Sequence, residues 1–186
     1  MRARSMQRNL IVRIFPLLLA ILAWTSDLAM ATAATAATAA TADPTPGTPP
    51  AIDLQADAQV AAGMSRTLLI VFVSDRCAYC EIALNEFLIP MSGNPDYGNR
   101  IIMRRIVTNQ DLPLRDFRGD LTTHRKFAKR LNVRMTPVIQ MFDTRGLLLG
   151  KPLIGVTTLD YYGDFIDQTI DKAIALTLPS TAKATP

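Results

Sequence analysis

The feature that most constrains the fold of this chain is an uninterrupted apolar run that leads directly towards two cysteines. The run Thr67–Val73 has the sequence Thr-Leu-Leu-Ile-Val-Phe-Val, and Cys77-Ala78-Tyr79-Cys80 follows after a short connection. A continuous run of β-branched and aromatic residues predicts a strand that is covered on both faces of its sheet. These are the only cysteines of the chain. All of its thiol chemistry therefore lies at the end of one buried strand.

The short spacing of the two cysteines favours redox chemistry over a structural crosslink. In the chain-entropy model, a disulfide that closes a loop of about four residues stabilises a fold by roughly 2 kcal/mol, against about 3 kcal/mol for a loop of fifteen. A pair that served only as a crosslink would stabilise the fold more if its cysteines were far apart. A passive disulfide remains the alternative interpretation.

The first 31 residues have the pattern of a secretory signal peptide. Four arginines precede an apolar run of about ten residues from Ile14 to Trp24, and Ala29-Met30-Ala31 offers the small-x-small pattern of a cleavage site. An uncleaved membrane anchor is the alternative. Because Pro16 interrupts the run, it falls short of the roughly 20 apolar residues that span a bilayer. We therefore expect a periplasmic protein that is cleaved after export.

The net positive charge of the chain comes mostly from the predicted signal peptide. Four of the 20 basic residues and one of the 16 acidic residues precede residue 32, so the remaining chain carries 16 basic and 15 acidic groups. The overall charge of +4 is therefore explained by the predicted targeting segment and gives no reason to expect a nucleic-acid partner.

The rest of the chain divides into a linker, one domain and a short tail. Residues 32–50 are a repeating Ala/Thr tract that becomes proline-rich and contains almost no large apolar side chains, which predicts a disordered linker. We expect one domain over residues 51–178 and a flexible tail over residues 179–186.

Apolar periodicity predicts four helices and four strands in this domain, with a hairpin turn at Asp143–Gly146. The predicted order is α-β-α-β-α-β-β-α, and Pro90 is expected to stop or kink the second helix. The segment 111–122 is expected to be a simple insertion, with a partner-docking surface as the alternative. The predicted helices cover Asp53–Ala62, Ala78–Met91, Thr123–Leu131 and Thr158–Leu176. The predicted strands cover Thr67–Val73, Ile101–Val107, Val138–Phe142 and Leu147–Leu149, with Ile154 as the alternative end of the last strand.

This order, together with two local motifs, resembles the thioredoxin superfamily over approximately Thr67 to Leu176. The motifs are C-x-x-C at a strand-to-helix junction and the segment Phe127–Pro137, which ends in Met135-Thr136-Pro137 and leads into an apolar strand. The resemblance implies an α/β fold with a central mixed four-stranded sheet and helices on both faces.

The resemblance assigns the catalytic roles to the cysteine pair. Cys77 is expected just before the first helical turn, where backbone N–H groups favour a thiolate, which makes it the nucleophile. Cys80, one turn into the helix and more buried, is expected to be the resolving thiol.

The same resemblance places Tyr79, Thr136 and Pro137 at a substrate-binding surface. In the family, the proline that faces the active-site disulfide is cis, and the residue before it pairs with an extended substrate as an added strand. An ordinary turn proline is the alternative. Tyr79 and Thr136 are similar to their counterparts in periplasmic disulfide isomerases and related exported reductases.

The chain departs from cytosolic thioredoxin beside the cysteines. Val71 stands where thioredoxin has a buried acid, so Asp75 or Glu81 is the candidate group to assist deprotonation of Cys80. Arg76 replaces a tryptophan and is expected to lower the pKa of Cys77 by its charge, with a solvated arginine as the alternative.

A zinc site is not expected, because structural zinc takes four ligands and the chain has a single histidine, His124. Its polar neighbours Thr122, Thr123, Arg125 and Lys126 predict that His124 is exposed at a helix start.

These inferences predict an exported thiol:disulfide oxidoreductase that reduces protein or peptide disulfides through Cys77. No organic cofactor is expected. Electrons would come from an upstream dithiol protein, for which a membrane-embedded protein is a candidate. The alternative is a redox-sensing or chaperone-type binding module without significant turnover.

Overall fold

The structure is a computed structural model and describes residues 47–178. The predicted signal peptide over residues 1–31, most of the predicted linker and the predicted tail lie outside the described residues. Among the helices between residues 47 and 178, none combines the length and apolar character that a membrane crossing requires.

Six strands and six α-helices form the described domain. The strands are β1 (Thr67–Val73), β2 (Ile101–Val107), β3 (Pro113–Arg115), β4 (Leu121–Thr123), β5 (Val138–Phe142) and β6 (Leu148–Ile154). The helices are α1 (Leu54–Gly63), α2 (Ala78–Ile82), α3 (Ile89–Ser92), α4 (Pro95–Gly98), α5 (His124–Arg130) and α6 (Leu159–Thr177), and a π-helical segment, Ala83–Leu88, connects α2 to α3.

The central sheet has four strands in the order β2-β1-β5-β6. Strands β1 and β2 are parallel and pair from Thr67 opposite Ile101 to Val73 opposite Val107. Strand β5 runs antiparallel to both β1 and β6. The sheet is therefore mixed, as expected, and the carboxyl ends of β1 and β2 lie side by side at one edge.

Strand β1 contributes to the core on both faces of the sheet, since all seven of its residues are buried. Alternate side chains point to opposite faces. Leu69, Val71 and Val73 pack in one apolar cluster with Cys80 from α2 and with residues of α6. Leu68, Ile70 and Phe72 pack in a second cluster with residues of α1 and α5. Helices thus cover both faces, which confirms the predicted fold class.

The predicted bounds of β1, β2 and β5 are confirmed. All residues of β1 and β5 are buried, and β2 is buried at both ends with half-buried Arg104 and Arg105 between them. The predicted helix Ala78–Met91 differs in detail, since a π-helical segment interrupts it and the helix continues to Ser92. Ile89 N–H donates to Leu84 O, five residues earlier, directly before Pro90, which has no N–H to donate. Pro90 therefore lies in the first turn of α3 without ending the helix.

The segment 111–122, expected to be a simple insertion, carries the hairpin of β3 and β4. This hairpin is part of the core, since Leu114 is buried in the second cluster. Arg115 N–H donates to Ile52 O at 2.8 Å, so the hairpin also holds the residues that precede α1.

The end of the predicted linker lies against the sheet. Arg105 N–H donates to Pro49 O at 2.9 Å, and Ala51 N–H donates to Arg105 O at 2.9 Å. Pro50 forms an isolated parallel bridge with Arg105. Residues 49–51 therefore extend alongside β2, and the ordered domain begins before the predicted residue 51.

The predicted exposure of His124 is wrong, because the side chain is completely buried. Val107 N–H donates to His124 Nδ1 at 2.9 Å, and His124 Nε2 lies 2.8 Å from Ala51 O. Because Nδ1 accepts, the proton of the neutral ring is on Nε2, which donates to Ala51. The polar neighbours misled the prediction, since the histidine satisfies both nitrogens inside the fold.

Candidate active site

Cys77 and Cys80 form a disulfide at the carboxyl end of β1, with their Cα atoms 5.2 Å apart. Arg76 has a φ of 58°, in the left-handed region, and this turn carries the chain from the strand into α2. Cys77 is the N-cap of α2, and Cys80 N–H donates to Cys77 Sγ at 3.2 Å. The predicted position of Cys77 at the start of the helix is confirmed.

The two cysteines differ in access to solvent. Cys77 is half-buried, whereas Cys80 is only 1% exposed and packs in the apolar cluster with Val71 and Val73. A client disulfide that approaches from solvent therefore meets Cys77 first. This difference agrees with the roles expected for the nucleophile and the resolving thiol, and those roles remain predictions.

Thr136 lies beside Cys77, although 59 residues separate them in the chain. Thr136 O is 3.8 Å from Cys77 Sγ, and the Thr136 hydroxyl donates to the same sulfur at 3.6 Å. The Thr136–Pro137 bond is cis, as the family resemblance implied. The structure thus places Thr136, and with it the cis bond to Pro137, beside the disulfide of Cys77 and Cys80.

Thr136 also has free backbone groups. It precedes β5, and within residues 47–178 no backbone hydrogen bond involves its N–H or its C=O. Pro137 is buried, and its C=O accepts from Gly155 N–H at 2.8 Å. Thr136 is therefore free to pair with a ligand, whereas Pro137 is part of the scaffold.

Tyr79 and Met135 present exposed apolar surface next to the disulfide. Tyr79 is 61% exposed between the cysteines, and Met135 is 60% exposed before Thr136. Tyr79 was expected at the substrate-binding surface, whereas Met135 was not assigned a role from the sequence. Exposed large apolar side chains around a reactive centre are typical of contact surfaces for polypeptides.

The candidate proton acceptors do not reach the buried cysteine. Both oxygens of Asp75 accept from Gln110 Nε2 at 2.8 Å, and Glu81 accepts from Asn85 Nδ2 at 3.3 Å. In the part of the chain that the structure describes, neither carboxylate has a hydrogen bond to a cysteine. The expectation that one of them assists Cys80 thus gains no support from the geometry.

Arg76 is exposed and has no ion pair within the described range. This agrees with the solvated alternative, and its expected effect on the pKa of Cys77 stays a prediction.

Ser74 was missed by the sequence analysis. Its hydroxyl lies 2.8 Å from Thr136 Oγ1, across 62 residues of chain. Nothing in the sequence links these two residues, because only the antiparallel pairing of β1 and β5 brings them together.

The chain belongs to the family of thioredoxin-like domains. The model of this family matches residues 54–169, which is more than half of the chain. The match contains β1, the cysteine pair, the Thr136–Pro137 segment and the first half of α6. A thioredoxin-like fold that carries a C-x-x-C disulfide supports thiol–disulfide oxidoreductase chemistry.

Solved structures with this fold are similar to the chain at low sequence identity. A thioredoxin from Malassezia sympodialis is 12% identical, with a TM-score of 0.45, over 69% of this chain and 94% of that one. Thioredoxin f from spinach chloroplast is 12% identical, with a TM-score of 0.46, over 69% of this chain and 96% of that one. The oxidised C-terminal domain of DsbD from Neisseria meningitidis is 14% identical, with a TM-score of 0.40, over 61% of this chain and 90% of that one. No curated protein matches the chain.

Proposed function

We propose that this protein is an exported thiol:disulfide oxidoreductase that reduces protein disulfides through Cys77. The observation that carries the proposal is the asymmetry of the cysteine pair. Cys77 is accessible and receives hydrogen bonds from Cys80 N–H and the Thr136 hydroxyl, whereas Cys80 is buried. Donors directed at a sulfur favour its thiolate, which is the attacking species in disulfide exchange.

The reaction begins from the reduced pair. The Cys77 thiolate attacks one sulfur of a client disulfide, the client S–S bond breaks, and the leaving client thiolate takes up a proton. Cys80 then loses its proton and attacks Cys77 Sγ in the mixed disulfide. This step releases the second client thiol and forms the Cys77–Cys80 disulfide, so two electrons pass from the protein to the client. An upstream dithiol protein returns the electrons.

The client is held beside Cys77 by the backbone of Thr136. An extended peptide that reaches the sulfur passes this residue, whose N–H and C=O are available to pair with it as an added strand. Tyr79, between the two cysteines, and Met135, directly before Thr136, are exposed and offer apolar contact to the client. These groups recognise the backbone and bulk of a client more than its sequence, which suits a reductase with several clients.

Export is the second part of the proposal and is supported by the composition of residues 1–31. Expression of the full chain in a Gram-negative host, followed by cell fractionation and intact mass measurement, tests it. We expect a periplasmic protein that has lost its first 31 residues. A full-length mass in the membrane fraction would show an anchor, and a cytoplasmic location would contradict export.

Insulin reduction with dithiothreitol as electron source tests the oxidoreductase activity. We expect catalysed precipitation of the insulin B chain by the wild type and none by Cys77→Ser. A binding module would instead give no catalysis by the wild type, together with peptide binding that survives Cys77→Ser. Met64→Ala is a suitable control, because Met64 is exposed next to the amino end of β1, away from the cysteines.

The direction of electron flow is tested by alkylation of thiols in intact cells. A reductase is expected to have Cys77 and Cys80 mostly reduced in the presence of its electron donor. A pair that is mostly oxidised under the same conditions would contradict the reductase assignment and indicate an oxidant.

A further inference from the structure

The Ser74 hydroxyl is connected to Cys77 through the side chain of Thr136. It lies directly after β1, where the chain turns towards Cys77, and it is half-buried. Its hydroxyl is 2.8 Å from Thr136 Oγ1, which is itself 3.6 Å from Cys77 Sγ. Two hydroxyls from distant segments therefore form a chain of hydrogen bonds that ends at Cys77 Sγ.

The direction of these hydrogen bonds follows from the number of protons. Each hydroxyl has one proton to donate and two lone pairs that accept. If Ser74 donates to Thr136, the single Thr136 proton is free to point at Cys77 Sγ. If Thr136 donates to Ser74, no hydroxyl proton is left for the sulfur. The role of Ser74 thus depends on which of two arrangements the site adopts.

A thiolate at Cys77 selects the first arrangement. A disulfide sulfur accepts hydrogen bonds weakly, whereas a thiolate carries a negative charge, and hydrogen bonds to charged groups are roughly twice as strong as neutral ones. Ser74, Thr136 and Cys77 are all half-buried, so water competes less for these protons than at an exposed site. Reduction of the disulfide therefore strengthens the hydrogen bonds from Ser74 to Thr136 and from Thr136 to Cys77, which the oxidised protein already contains.

Charged side chains nearby offer no equivalent contact. Asp75, Arg76 and Glu81 are exposed, and so is Arg134, whose guanidinium donates to Asn132. Over residues 47–178, no charged side chain has a hydrogen bond to either sulfur. The donors at Cys77 are therefore the Cys80 N–H and the Thr136 hydroxyl, and only the second depends on another side chain.

We propose that Ser74 is a positioning residue, which donates to Thr136 so that the Thr136 hydroxyl is directed at Cys77 Sγ and favours the thiolate over the thiol. This role rests on the proposed exchange at Cys77 and adds the group that orients its hydroxyl donor. Removal of Ser74 leaves Thr136 in place but lets its hydroxyl rotate towards other acceptors.

Titration of reduced Cys77 by the ultraviolet absorbance of its thiolate tests the proposal. The measurements use a Cys80→Ser background, so that a single thiol titrates. We expect Thr136→Val to raise the pKa of Cys77 by about one unit and Ser74→Ala by about half a unit. Adding Ser74→Ala to Thr136→Val should have no further effect. Ser74→Thr keeps a hydroxyl and should restore the wild-type pKa.

Ser92→Ala is the matched control, because the Ser92 hydroxyl donates to Ile89 O within a helix and should leave the pKa unchanged. The proposal is overturned if Ser74→Ala does not shift the pKa, or if its shift persists in the Thr136→Val background. It is also overturned if Ser74→Thr shifts the pKa as much as Ser74→Ala. Exchange of the reduced wild type with a peptide disulfide is measured alongside. Failure of that exchange alone would contradict the proposed function and leave the pKa comparison able to decide the role of Ser74.

Discussion

His124 and Thr136 each connect segments that are far apart in the chain, at the carboxyl ends of the neighbouring strands β2 and β1. His124 is completely buried, and both of its nitrogens have partners in the fold, Val107 N–H and Ala51 O. Thr136 is half-buried, its hydroxyl faces a sulfur, and within residues 47–178 neither its N–H nor its C=O has a backbone hydrogen bond. A fully satisfied polar group contributes to stability, whereas one with unused hydrogen-bonding capacity is available for chemistry. Substitutions at the two sites should therefore separate stability from activity.

The largest effect on stability is expected from His124→Ala. The change leaves the buried Val107 N–H and Ala51 C=O without their partners, and each such group costs about 1–3 kcal/mol. We expect the free energy of unfolding in urea to fall by about 3 kcal/mol, with exchange activity per folded molecule unchanged. Lys126→Ala, on the exposed face of the same helix, should have little effect. A loss of activity without a loss of stability would contradict the structural role of His124.

A smaller effect is expected when the pH is lowered. Burial lowers the pKa of His124 below its usual value of 6.5, the hydrogen bond to Ala51 raises it, and the charge of Arg105 lowers it. The folded protein therefore binds fewer protons than the unfolded chain between pH 6.5 and the lowered pKa. Stability from this group is complete above that range and is lost as the pH falls through it, by at most about 1.4 kcal/mol per pH unit.

Urea unfolding of the wild type and of His124→Gln between about pH 7.5 and pH 5 measures this difference. The wild type should lose more stability than the variant over the range. Asp116 does not interfere: burial raises the pKa of its carboxyl, but hydrogen bonds from Arg118 N–H and Arg130 keep it below 3.8. Equal slopes for the two proteins would contradict this account, because they would show that His124 takes up its proton at the same pH in the folded and the unfolded chain.

The smallest effect is expected from Tyr79→Ala at the other site. Tyr79 is 61% exposed, and the proposed function assigns its contacts to a client, so its removal should leave stability unchanged. We expect KM for insulin to rise about threefold to tenfold, as for the loss of one aromatic contact, with little change in kcat. A loss of stability comparable to that of His124→Ala would show that Tyr79 belongs to the scaffold.

The two sites also show what the sequence can predict. The positions of Cys77, Cys80 and Thr136 were implied by the family resemblance, which rests on C-x-x-C after an apolar run and on the proline before a second run. Strands β1, β2 and β5 were predicted because their burial requires a largely apolar sequence, which only Arg104, Arg105 and Gln140 interrupt. The local sequence of His124 is polar, so its burial depended on partners at Ala51 and Val107 that no local pattern reveals.

Ser74 and the β3–β4 hairpin were missed for related reasons. The contact of Ser74 with Thr136 exists only because β1 and β5 are paired in one register. The hairpin strands have three residues each, too few for an alternating pattern, and their stability comes from Leu114 in the core and from Arg115 bonded to Ile52. Both features depend on contacts between segments that are distant in the chain, and local sequence patterns do not predict such contacts.

Trapping of the mixed disulfide tests the central claim, that Cys77 is the sulfur that exchanges with clients. Cys80→Ser and Cys77→Ser variants are each reduced, mixed with a disulfide-bonded client, quenched with an alkylating reagent and analysed by mass spectrometry. The account predicts a covalent client complex with Cys80→Ser, because the accessible Cys77 attacks and no thiol resolves the product, and none with Cys77→Ser. A complex that forms as readily with Cys77→Ser would contradict the account, since it would show that the buried sulfur reaches clients equally well.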